Sequence, residues 1–278
     1  MPSLSEHELA EIADYIKVRY GVNLSTKSML IESRLGCYMQ SKGFNTYGEY
    51  FEYARNDSTG AEMANLLSRI TTNHTFFMRE SDHFEFFIDE VFPWIESLHD
   101  GKDMRIWCAG CATGEEPYGM AIHILEYLNS RGTKLSAYDT TILASDISER
   151  ALMIASEGIY PLENLIEIPT EWIEKYFIDL CDGNYRVAPE LRSNVAYKKI
   201  NLLDPFVIRK PFHVIFCRNV MIYFDVETRN SLVKRIYDVL VPGGFLFIGH
   251  SESLTSFQHG FQHIRTSVYR KPTGQGSI

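Results

Sequence analysis

Long hydrophobic runs are missing from these 278 residues: no apolar stretch approaches the roughly 18 residues that a membrane-spanning helix needs. No membrane insertion is expected. Cysteine is sparse, with five residues at scattered positions (Cys37, Cys108, Cys111, Cys181, Cys217), which is not a disulfide framework and fits a reducing compartment. Basic charge is also short. Lys and Arg number 27 against 36 Asp and Glu, a formal net charge of −9, so the chain lacks the positive field that wrapping a nucleic acid requires, and no nucleic-acid partner is expected. The first segment, Met1–Lys17, carries four Glu/Asp where a secretory signal would place Lys/Arg before an apolar core, so the expected location is the cytoplasm. Strong Pro or Gly bias is absent, which excludes a fibrous repeat. With 45% apolar residues there is ample material for a core, and the length suits two domains of ordinary size.

The N-terminal stretch to about Leu98 carries helical periodicity. Leu9, Ile12, Ala13 and Ile16 recur behind a Ser5-x-x-Glu8 capping box, which satisfies two backbone donors at a helix start. A second helix runs through Met29, Ile31, Leu35 and Met39 to a stop at Gly43, a third through Tyr47, Tyr50, Phe51 and Tyr53, and a fourth covers Met63 to Ile70. Thr71–Glu80 is a connector, and one longer helix is expected from about Asp82 to Leu98. The expected division is therefore a helical unit over residues 1–80 and a second unit over 81–278.

From Met104 onward short apolar runs alternate with helical segments, the pattern of repeated strand–helix units. Strands are expected at Met104–Ala109, Ile142–Ser145, Val195–Ile200, His213–Cys217 and Phe245–Gly249, forming an α/β doubly wound, mostly parallel sheet with helices on both faces. Ligands of such sheets sit beyond the carboxyl ends of the strands. Between the second and third strands an insertion, about 160–195, contains short extended pieces and is expected to form a small β-rich lobe. The Val241-Pro242-Gly243-Gly244 turn is read as a helix stop before the fifth strand, and the tail Lys271–Ile278 as loose.

The strand ends hold the chemistry. Ala109-Gly110-Cys111-Ala112-Thr113-Gly114 has glycine where a backbone must turn and approach a ligand, then a helix opening at Thr113-x-x-Glu116, read as a capping box. The spacing is neither Gly-x-Gly-x-x-Gly nor Gly-Lys-Ser/Thr, which disfavours dinucleotides and ATP. Asp146 ends the second strand, where a carboxylate can accept from both hydroxyls of a ribose; the competing reading, a helix cap, can be filled by Ser148 instead. Arg218-Asn219 closes the fourth strand, with Tyr223 four residues on. Cys108-x-x-Cys111 has no second ligand pair at zinc spacing, and most of the nine histidines are read as surface or cap residues, so no metal site is expected.

Together, Thr71–Glu80, Ala109–Tyr118, Ala144–Ile147, Asn201-Leu202-Leu203, Phe216–Asp225 and Gly249–Ser253 resemble, in order, the motifs of the bacterial chemotaxis receptor methyltransferase family, CheR. The resemblance implies a class I, Rossmann-like methyltransferase domain with an N-terminal all-helical domain and an inserted β-subdomain. It implies S-adenosyl-L-methionine as cofactor, leaving S-adenosyl-L-homocysteine as product, and glutamate side chains on the cytoplasmic helical bundle of chemoreceptors (methyl-accepting chemotaxis proteins) as acceptor. By motif, Asn73, Thr75 and Arg79 contact the cofactor from the connector, Glu115 or Glu116 from the first junction, Asp146 at the ribose, Asn201 and Leu202 at the adenine side, and Arg218 and Asn219 complete the pocket. Arg79 and Tyr223 stand nearest the methyl group as catalytic residues. The lobe is a candidate for holding a receptor C-terminal peptide by strand addition. Lys17, Arg19, Lys27, Arg34 and Lys42, facing Glu32 alone between positions 15 and 42, are candidates for a docking face. Another acceptor, or a non-catalytic module sensing the cofactor or its product, is the alternative.

Overall fold

The computed structural model describes residues 2–71, 73–98, 102–255 and 259–274; Thr72 of the connector and the last four residues of the tail lie outside them. Four helices open the chain: α1 (Glu6–Tyr20), α2 (Ser28–Ser41), α3 (Tyr47–Asn56) and α4 (Ala61–Ile70). Ser5 and Glu8 form the expected capping box on α1, and Thr46 with Glu49 forms a second on α3. Ile12, Ile16, Ile31, Leu35, Tyr47, Tyr50, Phe51 and Leu66 are buried in one cluster, each stabilising the unit by about 1.5–3 kcal/mol relative to exposure. Met29 and Tyr53, read with the apolar stripes, instead face solvent.

The helix expected from Asp82 to Leu98 is interrupted. It runs as α5 (Asp82–Phe86), a π-helical turn over Phe87–Val91 and α6 (Phe92–Glu96). Pro93 explains the break: it has no N–H to donate back along the helix, and its ring crowds the carbonyl four residues earlier.

The second part of the chain continues with β1 (Ile106–Ala109), α7 (Glu115–Ser130), β2 (Ile142–Asp146) and α8 (Glu149–Glu157). The lobe follows: β3 (Ile159–Pro161), α9 (Thr170–Tyr176), β4 (Phe177–Asp179) and β5 (Asn184–Val187), whose strands make an antiparallel sheet in the order β3-β5-β4. After α10 (Pro189–Ser193) come β6 (Val195–Lys199), β7 (Phe212–Cys217), α11 (Val226–Asp238), β8 (Leu240–Ile248), β9 (Gln262–Arg265) and β10 (Val268–Arg270).

The main sheet has the order β6-β2-β1-β7-β8-β10-β9, parallel from β6 to β8 and antiparallel at β10 and β9. The chain builds outward from β1 to β2 and β6, then returns to β7 on the other side. The order therefore reverses between β1 and β7, the place where such sheets open a crevice. Strands β1 and β7 are buried along their whole length, as expected of a sheet covered on both faces.

Two further expectations are corrected, and one strand pair is added. The Val241–Gly244 turn lies within β8: pairing jumps from Phe212–Leu240 to Val214–Phe245, so the extra residues form an irregularity in the strand. The final antiparallel pair carries no apolar alternation, because β9 is exposed throughout, and sequence pattern passed over it. The start of the tail is tied down: the Lys271 ammonium donates to the carbonyls of Tyr237 and Leu240, both at 2.7 Å.

Candidate active site

The reversal point opens into a cavity of about 360 Å³, within the range of small-molecule sites. Its wall includes Asn73, Thr75, Arg79, Glu116, Asp146, Asn201, Leu202, Arg218, Asn219 and Tyr223. Ten of the eleven residues named from the sequence thus share one cavity although they span positions 73–223. Glu115 is the exception. It is buried away from the cavity, where its carboxylate accepts from the Thr113 hydroxyl at 2.7 Å.

That geometry overturns the capping box at Thr113-x-x-Glu116. Gly114, at φ +98, is the N-cap of α7, and no side chain caps the helix. Glu116 is thereby released toward the cavity, where its carboxylate stands 3.3 Å from the Arg218 guanidinium. Burial pushes the Glu116 carboxyl above the ordinary range, and Arg218 opposes that rise.

The turn after β1 brings backbone close to the cavity. Gly110, at φ +86, has no room for a side chain: a Cβ there would lie 2.4 Å from a Val220 methyl group. Opposite, Asp146 accepts from the Ala112 N–H at 2.9 Å and from the Ser148 N–H at 2.8 Å. Burial raises its carboxyl, and these N–H groups pull it back. Ser148 performs the capping of α8, accepting from Ala151 N–H. Each Asp146 oxygen keeps a lone pair for a ligand hydroxyl.

Three connector residues, Asn73, Thr75 and Arg79, form another wall. One Arg79 terminal nitrogen donates to the His74 carbonyl at 2.8 Å, and the guanidinium lies over the Phe76 ring. The Arg79 carbonyl in turn accepts from Arg218. Phe76 and Ile222 are 39% and 46% exposed, so the cavity has an apolar rim where it meets solvent. The helical unit also contributes wall residues that sequence reasoning missed, among them Tyr20, Asn23 and Leu24. Their signal is tertiary: the Asn201 amide donates to the Arg19 carbonyl at 3.0 Å, joining the two halves.

The histidines are partly misread from sequence. His83 and His213 are fully enclosed, and burial, followed by the Arg218 charge, lowers the His83 imidazole to about 4. Glu80 and His83 stand at the Glu-x-x-His spacing that the sequence reading passed over, and with His250 they bring three ligand-type atoms within 4.8 Å of one another. The Glu80 carboxylate there is already met by Arg218 at 3.2 Å, the Asn219 amide at 3.3 Å and the His250 N–H at 3.2 Å. Cys108, Cys111 and Cys217 are buried thiols whose pKa values burial drives well up, which leaves them unreactive.

The basic docking face is also reduced. Lys17 pairs with Asp225 at 3.0 Å, Lys42 pairs with Glu62 at 3.3 Å, and the Arg34 guanidinium donates to the Thr71 carbonyl at 2.7 Å. Lys27 instead lies at the cavity.

A reversed parallel sheet, a glycine turn at the end of β1 and an acidic residue ending β2 define a class I methyltransferase that uses S-adenosylmethionine. The fit rests on chemistry present in the wall: a buried carboxylate with lone pairs for ribose hydroxyls, a second carboxylate for an ammonium group, and close backbone approach at Gly110. Comparison with known proteins narrows this to a family. Residues 7–71 match the model described as the CheR methyltransferase all-alpha domain, and residues 73–270 match the CheR methyltransferase SAM-binding domain. The chain belongs to the CheR methyltransferase family. Similar proteins include a chemotaxis protein methyltransferase of Borreliella burgdorferi, 37% identical over 97% of this chain and 95% of that protein. Chemotaxis protein methyltransferase 2 of Vibrio cholerae is 32% identical (98% and 93% covered), and the Escherichia coli chemotaxis protein methyltransferase 31% (96% and 91%).

Proposed function

We propose that the protein transfers a methyl group from S-adenosylmethionine to glutamate carboxylates on the cytoplasmic helices of chemoreceptors, forming methyl esters. One observation carries this reading: a single cavity holds both the nucleoside-type carboxylate of Asp146 and, at its wall, the Arg79 guanidinium and Tyr223 phenol, groups suited to orienting a carboxylate acceptor. The near full-length likeness to proteins named for chemotaxis supports it.

The acceptor defines what the protein must do. An exposed glutamate has a pKa of about 4.3 and is already ionised at neutral pH, so no side chain has to remove a proton. When bound, S-adenosylmethionine supplies the methyl group as an electrophile. Asp146 would hold the ribose hydroxyls, Glu116 and Arg218 would receive the amino-acid end, and Asn73, Thr75, Asn201, Leu202 and Asn219 would complete the enclosure. Arg79, anchored through the His74 carbonyl, keeps further N–H donors for the incoming carboxylate. Tyr223, on the wall of the same cavity, would offer its hydroxyl to that carboxylate. Alignment of this kind contributes about 7–11 kcal/mol to a two-centre reaction.

Within this reading residues 1–80 supply the acceptor-facing helical unit and residues 81–278 the catalytic unit. The lobe ends on β4, an edge at which a receptor tail peptide would add as a further strand. The protein works in the cytoplasm; no helix among the described residues is long and apolar enough to cross a membrane.

The test is incubation of purified protein with methyl-labelled cofactor and receptor cytoplasmic fragments. Label released as methanol on mild base treatment is expected. Stable label, or label that survives replacement of the receptor glutamates by alanine, contradicts the assignment.

A further inference from the structure

Asn219 stands at the cavity in a conformation that few residues adopt. Its φ is +58, in the left-handed region. Asparagine tolerates that region better than most residues but does not choose it unaided, so something outside must hold it.

Two carboxylates do so from opposite sides, and neither lines the cavity. Glu252, on the turn after β8, accepts from the Asn219 N–H at 2.9 Å and the Gly249 N–H at 2.6 Å through one oxygen, and from the Ile222 N–H at 3.2 Å through the other. Glu80, at the end of the connector, accepts from the Asn219 side-chain amide at 3.3 Å. Gly249 closes the third side: a Cβ there would lie 2.3 Å from the Asn219 amide nitrogen and 2.9 Å from its backbone nitrogen.

We propose that Glu252 is a positioning residue that acts on the cofactor through Asn219, with Glu80 setting the direction of the Asn219 amide. A carboxylate is required because three backbone donors converge on it. Glutamine offers one acceptor oxygen, and its NH2 group would face an N–H donor. Burial raises the Glu252 carboxyl, and the converging N–H groups oppose that rise. The same carboxylate fixes Ile222, so the backbone leading to Tyr223 is set from the same point.

This inference rests on the reading of Asn219 as a cofactor contact, and a double-mutant cycle separates the two. The affinity for S-adenosylhomocysteine is measured by calorimetry for Asn219→Ala, Glu252→Gln and the pair, with KM for cofactor and for receptor fragment measured alongside. The expected result is a loss of about tenfold for each single variant, the size of one charged hydrogen bond, and a double variant within twofold of Asn219→Ala. KM for cofactor rises while KM for the receptor fragment holds. Losses that multiply in the double variant, or unchanged affinity in Glu252→Gln, overturn the positioning role. Unchanged affinity in Asn219→Ala overturns the reading of Asn219 itself, and the positioning role with it. Should Glu252→Gln not fold, Gly249→Ala presses on the same amide: a loss present with Asn219 and absent in the Asn219→Ala background supports the proposal, and equal loss in both backgrounds overturns it.

Discussion

Glu80 and Arg218 lie 138 positions apart and meet at 3.2 Å, with the Arg218 side chain 2% exposed. The pair locks the connector to the end of β7, and Glu116 approaches the same guanidinium at 3.3 Å. Arg218 thus stands between two largely enclosed carboxylates and within ion-pair distance of both.

Removing it takes the paired guanidinium from both acids at once. Arg218→Ala is expected to cost about 3–5 kcal/mol in urea unfolding, because uncompensated buried charge is expensive. Arg218→Lys recovers little, since a point charge cannot serve two carboxylates and the Arg79 carbonyl together. A loss under 1 kcal/mol contradicts the account.

At the other end of the cavity, Asp146→Asn is expected to weaken S-adenosylhomocysteine binding about 10–100-fold, as loss of a charged acceptor does. Asparagine keeps one acceptor oxygen for the Ala112 or Ser148 N–H groups, so the melting temperature falls far less than that of Arg218→Ala. Calorimetry and thermal unfolding report the two effects separately.

Much of this site is visible in the sequence, and the reason is local. Asp146 ends a strand and Asn201 and Arg218-Asn219 follow one, and a parallel sheet carries all such junctions to one edge. The residues that escape notice act at long range. Glu80 and Glu252 lie within motif segments, yet what each touches, as with the buried His83, appears only when folding sets Glu80 against Arg218 and Glu252 against Asn219. Thr113-x-x-Glu116 reads as a capping box, leaving Glu115 and Glu116 both open as cofactor contacts, because pattern alone cannot show that Gly114 takes the N-cap position in a left-handed conformation. The π-helical turn and the irregular β8 were likewise hidden, although Pro93 and Pro242 mark both places.

Arg79→Ala and Tyr223→Phe are expected to lower kcat for receptor methylation by about 10²-fold or more, as misalignment of reacting groups does. Affinity for S-adenosylhomocysteine should change less than tenfold. An Arg79→Ala protein with an unchanged rate at saturating substrates removes that residue from the orienting role.

Burial holds His83 neutral, with Arg218 adding to the effect, Asp82 and Glu80 opposing it and His250 adding a little; its pKa is about 4 against about 6.5 in the unfolded chain. The unfolded state therefore binds more protons between these values. Stability from this group is complete above pH 6.5 and is lost as pH falls toward 4, by about 2 kcal/mol between pH 7 and pH 5. His83→Phe should flatten that slope in urea titrations at the two pH values. An unchanged slope contradicts it.

Of the five basic residues near the N-terminus, Lys27 is the one at the cavity. Lys27→Glu is expected to raise KM for the receptor fragment several-fold at low ionic strength, with the difference shrinking as salt is added, because the contact steers an acidic acceptor. Lys42→Glu, at a residue already paired with Glu62, should change KM less.

The most direct test of the whole account is a crystal structure of the protein with S-adenosylhomocysteine. The account predicts the ribose hydroxyls on Asp146, the amino-acid end between Glu116 and Arg218, and the sulfur facing Arg79 and Tyr223. A ligand lying outside this cavity, or seated with its sulfur turned away from Arg79, would contradict it.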